Sequence, residues 1–171
     1  MRIYRPLLLL TCMLISSAVV HGQVKMQGRN AVYADYSLEG PVYSINYDRI
    51  FAQSAKLNYF FRAGFSIIND QAAFPLGVGL ITGHNDHHFE LAMLFIPLVE
   101  SKKTGGVTDN DKFIYLFPAA GYRYQKSDGG IFFHALAGPM IILDPAEGDF
   151  WQMDPMVKFS FSLGLGFNFG Q

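Results

Sequence analysis

Cysteine occurs once in this chain, at Cys12 within an N-terminal apolar stretch, and tryptophan once, at Trp151. A mature domain that begins beyond that stretch has no thiol, which excludes a disulfide framework, thiol catalysis and a cysteine-ligated metal. Charge is scarce as well, since Lys, Arg, Asp and Glu together make up 16% of the residues. Helical periodicity is missing too: beyond residue 30 no segment repeats its apolar residues at three- and four-residue spacing.

The N-terminus has the layout of an export signal. Arg2 and Arg5 precede an apolar run from Leu7 to Val20, which closes on Val20-His21-Gly22 before Gln23, so residues 1–22 are expected to be a cleavable signal peptide. The run falls short of the roughly 18 apolar residues a spanning helix needs. Cys12 follows Thr11 and lies inside the run, whereas a lipid-attachment cysteine would close it. Residues 23–171 then form one domain. It has 11 basic side chains (13 less Arg2 and Arg5) against 14 acidic ones, a net charge of −3 that argues against nucleic acid as a partner.

What the chain does contain is period two. In VKFSFSLGLGFNFGQ, residues 157–171, alternate positions give Val157, Phe159, Phe161, Leu163, Leu165, Phe167 and Phe169 on one side, and Lys158, Ser160, Ser162, Gly164, Gly166 and Asn168 on the other. Eight such runs are predicted as strands: Ala31–Leu38, Val42–Phe51, Leu57–Ile68, Ala73–Thr82, His87–Leu98, Lys112–Gln125, Gly130–Leu143 and Met156–Phe169. Turn residues separate them. In several strands one face is bulky and almost uncharged, the other small or ionisable: Tyr59, Phe61 and Phe65 oppose Asn58, Arg62 and Gly64, and Phe89, Leu91 and Met93 oppose His88, Glu90 and Ala92.

Which face points inward separates a soluble barrel from a membrane one. A water-facing wall of Gly64, Gly77, Gly79, Gly121, Gly164 and Gly166 would weaken its strands and gain nothing. Inside a narrow eight-stranded closure the same glycines answer a lack of room, and the bulky face meets acyl chains. Only Arg49 and Lys112 interrupt the bulky face, both beside strand ends where a long side chain reaches the interface. Tyr43, Tyr47, Tyr59, Tyr122 and Tyr124 also sit near strand ends, as in an aromatic girdle. The two long predicted connections, Val99–Asp111 and Asp144–Pro155, fall at the same end of an up-and-down barrel. The expected fold is therefore all-β: an eight-stranded antiparallel up-and-down transmembrane β-barrel behind a signal peptide.

With an export signal, this pattern and a terminal Phe167-Asn168-Phe169, the chain from Asn30 to Gln171 resembles the small eight-stranded outer-membrane barrels of Gram-negative bacteria, of the OmpA/OmpX kind. AVYADYSLEGPVYSINYDRIF and GYRYQKSDGGIFF are similar to segments of uncharacterised barrels of this type. The resemblance implies a bacterial outer-membrane location with both termini periplasmic, contact with membrane lipid and lipopolysaccharide, and the outer-membrane insertion machinery as a partner in biogenesis. It departs from the usual form in that Gly170 and Gln171 follow the last aromatic. A monomer is expected.

Motifs that carry chemistry are few. Gly77-Val78-Gly79 and Gly164-Leu165-Gly166 lie within strands with no helix to follow, so they offer no phosphate site. Gly83-His84-Asn85-Asp86-His87-His88 reads as a polar hairpin tip, and Asp144, Glu147, Asp149 and Asp154 as a solvated acidic loop without calcium-loop spacing. Pro75, Pro97, Pro118 and Pro139 remove ladder donors on one half of the barrel, which would suit sideways lipid entry in a lipid-modifying enzyme. The two long connections hold no histidine to serve one. No catalytic residue, metal or cofactor is expected, and the ligand-binding residues are left open.

Alternation places Asp48, Arg62, Glu90, Arg123 and His134 inside, with Lys158 nearer the extracellular end. Turns bring Asp48 beside Arg62 and Arg123 near His134, and the five are expected to neutralise one another as a structural charge network. The function expected is structural, adhesive or interaction-mediating, through the extracellular loops. The alternatives are an outer-membrane lipid-modifying enzyme and a secreted lipocalin-like ligand-binding barrel. Mass spectrometry of the mature protein should find Gln23 as the first residue; an N-terminus at Met1 would refute the export signal.

Overall fold

The structure, a computed structural model, describes residues 26–54, 56–68, 70–82, 86–104, 107–145 and 153–170. The expected signal peptide lies outside the described residues, as do His84 and the centre of the acidic loop. Nine strands form one antiparallel sheet: β1 (Asn30–Ser37), β2 (Tyr43–Gln53), β3 (Leu57–Ile68), β4 (Gln71–Ala73), β5 (Leu76–Thr82), β6 (His87–Thr104), β7 (Val107–Gln125), β8 (Gly130–Pro145) and β9 (Met153–Phe169). β4 and β5 both pair with β3 and β6, every other strand pairs with its neighbours in sequence, and β1 also pairs with β9, so the sheet closes on itself. β4 and β5 are one stave. Both keep the same register against β3 and β6, and the break between them falls at Phe74-Pro75, where the proline has no N–H to give. The protein is an eight-stranded up-and-down β-barrel.

The alternation read from the sequence sets the wall. On β9 Phe159, Leu163, Leu165, Phe167 and Phe169 are exposed, while Ser160, Ser162, Gly164 and Asn168 face the lumen; β2, β3 and β6 alternate the same way. The inward glycines make room for specific neighbours. A side chain at Gly79 would stand 2.5 Å from both the Phe60 ring and the Leu91 carbonyl. The lumen is more apolar than the alternation suggests, because Ile50, Phe60, Ile81, Leu94, Ile96, Leu98, Phe117, Leu136 and Met140 pack into one internal core. On β6 both faces of residues 93–98 are apolar, and period two alone does not separate them.

The expected loop Val99–Asp111 is instead mostly strand. β6 and β7 continue as a hairpin to Thr104↔Val107, whereas β4 stops against β6 at Glu100 and β8 joins β7 only at Ile114. Glu100, Ser101, Lys102 and Lys103 fall opposite Asp111, Asn110, Asp109 and Thr108. A ribbon polar on both faces shows no hydropathy alternation, so its sequence reads as loop. The expected Asp144–Pro155 loop is also shorter, with the β8–β9 ladder reaching Pro145↔Met153. Substituting Gly79→Val should lower stability by about 1–3 kcal/mol, as over-packing does; an unchanged urea midpoint would show that Phe60 has room to move.

Candidate functional site

The five inward charges meet in one layer of the lumen. Asp48 on β2 and Arg62 on β3 are cross-strand partners, and the pair is bidentate: Arg62 Nε donates to Asp48 Oδ1 at 2.8 Å and Arg62 Nη2 to Asp48 Oδ2 at 2.9 Å. Arg62 Nη2 also reaches Glu90 Oε1 on β6 at 2.8 Å. From the opposite wall, Arg123 Nη1 donates to Asp48 Oδ2 at 2.8 Å and lies 3.5 Å from Glu90 Oε2. All four side chains are at most 1% exposed, and their formal charges cancel.

His134 on β8 stands opposite Arg123 in the register, but its ring turns toward carboxylates. Nδ1 is 3.6 Å from Glu90 Oε2 and 3.4 Å from Arg62 Nη2, and Nε2 is 3.5 Å from Asp35 Oδ1. Gly164 lies between Asp35 and His134 on neighbouring strands, and a Cβ there would collide with the imidazole. The geometry suits either charge state of the ring. A neutral imidazole accepts from Arg62 at Nδ1, and an imidazolium faces a carboxylate on each side, while Nε2 and Asp35 Oδ1 at 3.5 Å make no hydrogen bond.

Sequence reasoning missed the aromatic and amide groups that complete this layer. The Tyr33 hydroxyl donates to Asp48 Oδ1 at 3.0 Å. The Arg62 guanidinium lies 5.3 Å from the Tyr33 ring centre, and that of Arg123 lies 4.8 Å and 4.6 Å from those of Phe60 and Phe132. Arg123 Nε donates to Gln125 Oε1, and Gln125 Nε2 to the Gly28 carbonyl. The segment before β1 thereby closes the lower mouth: Gln27 and Gly28 donate to the Ser127 carbonyl, and Met26 is buried against Asn58. Tyr33, Phe60, Phe132 and Gln125 all sit at inward parity, which was the available signal. Large aromatics read as outward because most others are.

The remaining candidates lie apart from this layer. Lys158 pairs with Glu39 at 3.2 Å at the other rim, half exposed. His88 lies between the Thr82 and Gln125 carbonyl oxygens, and His87 is 2.6 Å from the Tyr122 hydroxyl. Among the described residues no group of three or more His, Cys, Asp or Glu is placed to hold a metal ion. A cavity of about 20 Å³ beside Asp35 and Asn46, above the charged layer, is too small for a ligand beyond a water. Both carboxylates at the centre are committed to arginines, so the layer has the chemistry of a clamp.

No protein-family model, curated protein or solved structure matches this chain. The class is therefore defined by the fold and the site: a closed eight-stranded barrel with a neutral, buried ion-pair layer across its lumen.

Glu90→Ala leaves Arg62 and Arg123 with one carboxylate between them, and should cost roughly 3–5 kcal/mol in urea unfolding. Tyr33→Phe, which removes one hydrogen bond to a carboxylate, should cost about 1.5–3 kcal/mol. Equal, negligible losses in both would show that the layer contributes nothing to stability.

Proposed function

We propose that this protein is a non-enzymatic bacterial outer-membrane barrel, exported by its N-terminal segment, with a structural, adhesive or interaction role through its extracellular hairpins. The observation that carries the membrane reading is the outer wall. Ile67, Phe159 and Phe167 are 72%, 72% and 67% exposed, and Tyr43, Phe65, Val78, Phe89, Met93, Ile131 and Leu165 extend the same surface around the barrel. A soluble monomer rarely exposes a contiguous apolar patch of more than a few hundred Å², whereas acyl chains solvate such a belt.

The rest of the reading is consistent with that belt. The short turns, including Lys126–Gly129, and the segment from Met26 share one end, taken as periplasmic. The β6–β7 and β8–β9 hairpins rise at the other, where polar residues of the first would meet solvent or a partner. A plugged lumen suits an anchor better than a pore. It also weighs against the lipocalin-like alternative, which needs a ligand-sized interior, and a carboxylate layer locked to arginines weighs against a luminal enzyme. Lipid and lipopolysaccharide are the proposed surroundings, and the outer-membrane insertion machinery the partner in assembly.

Membrane fractionation, with gel mobility of unheated against boiled sample, tests this. The protein should sediment with outer membrane and shift on heating, and planar-bilayer recording should show no steady conductance. A folded, water-soluble periplasmic product would sink the membrane reading, and an open-channel current would sink the plug.

A further inference from the structure

The prolines of β7 and β8 form a pair. The β7–β8 register runs Leu116↔Ile141 and then Ala120↔Ala137, which sets Pro118 opposite Pro139. In an antiparallel ladder, opposed residues alternate between pairs that exchange both N–H···O bonds and pairs that exchange none. The Ala135 carbonyl presses on Gly121 and the Pro118 carbonyl on Gly138. Residues 135 and 118 thus aim their carbonyls into the same seam, so 118/139 is a bonding pair by parity with 122/135. Neither proline has an N–H. The carbonyl oxygens of Pro118 and Pro139 consequently face the β7–β8 seam with no ladder donor, and the ladder is interrupted between Leu116/Ile141 and Ala120/Ala137.

This interruption coincides with a feature of the outer wall. An open groove of about 750 Å³ crosses β3, β5, β6, β7 and β8, with Val78, Leu91 and Met93 on one side and Pro118, Ala120 and Pro139 at its β7–β8 end. Five staves at ~4.8 Å spacing give it an arc of about 19 Å, the length of an acyl chain that bends with the curve of the wall. Among the described residues that line it, only Tyr59 has a polar side-chain atom. The groove therefore combines a long apolar channel with two acceptor oxygens at one end. An unmet backbone carbonyl inside hydrocarbon is costly, so the occupant that suits it is an apolar chain with a hydrogen-bond donor.

We propose that this groove is a binding site for one acyl chain carrying a hydroxyl or amide donor, seated across β3–β8 with the donor on the Pro118 and Pro139 carbonyls. The site is on the outer wall and admits nothing to the lumen, which Phe117 and Met140 fill behind it. It rests on the reading of that wall as lipid-facing.

The test is NMR of alanine- and methionine-methyl-labelled protein in detergent micelles, titrated with 3-hydroxytetradecanoate and, separately, with tetradecanoate. Saturable shifts at Ala120, Ala137 and Met93 are expected, with the hydroxylated chain binding about fivefold more tightly, the value of one net hydrogen bond. The double variant Pro118→Ala/Pro139→Ala restores both N–H groups to the seam and should erase that preference, while Ala137→Leu should abolish saturable binding by filling the groove. Shifts that grow without saturation and are shared with Ala34 on the far wall would overturn the site. A preference that survives the double variant would overturn the role of the carbonyls. If the protein instead stays folded and monodisperse without detergent, the membrane reading fails by itself, and the same titration in water still decides the groove.

Discussion

Two guanidinium groups and two carboxylates share one layer of a lumen too narrow for bulk water, and the rest of the interior is arranged around them. Isolated, any one of these charges would cost several kcal/mol to bury. Together they are neutral, with three contacts of 2.8 Å linking four strands and a fourth contact at 3.5 Å. The layer also fixes register. A one-residue slip of β3 against β2 would turn Arg62 outward and leave two carboxylates to Arg123 alone. The aromatic rings of Phe60 and Phe132 cover the guanidinium faces, and the Gln125–Gly28 contact ties the layer to the segment that closes the lower mouth.

That arrangement separates the two faces of the barrel wall. Polar atoms are gathered inward, where they meet one another, and the outer wall is left to side chains that need no partner. The glycines mediate between the two demands, because an eight-stranded closure has space for large side chains at one position only if the neighbouring position has none. Gly79 beneath Phe60 and Gly164 beneath His134 are the clearest cases. Proline acts differently. At Phe74-Pro75 it splits a stave without changing its register, and at Pro118 and Pro139 it removes a rung.

Much of this was legible in the chain. The count of staves, the inward parity of Asp48, Arg62, Glu90, Arg123 and His134, and the Asp48–Arg62 pairing follow from period two and turn placement. The lengths of the two long hairpins were not legible, since a run such as Glu100–Asp111 has polar residues at both parities and carries no hydropathy signal. Nor were Tyr33, Phe60 and Phe132 as luminal groups: their parity was inward, but their size matches the outward majority.

By itself the sequence determined the alternation, and with it which atoms are inside and which outside, because side chains of a strand have no third direction to point. It also determined that the interior charges must balance. Only the tertiary structure decided which charges touch. Cross-barrel neighbours such as Arg123 and Asp48 are 75 residues apart, and they meet through closure by the β1–β9 pairing, a contact that no local spacing encodes.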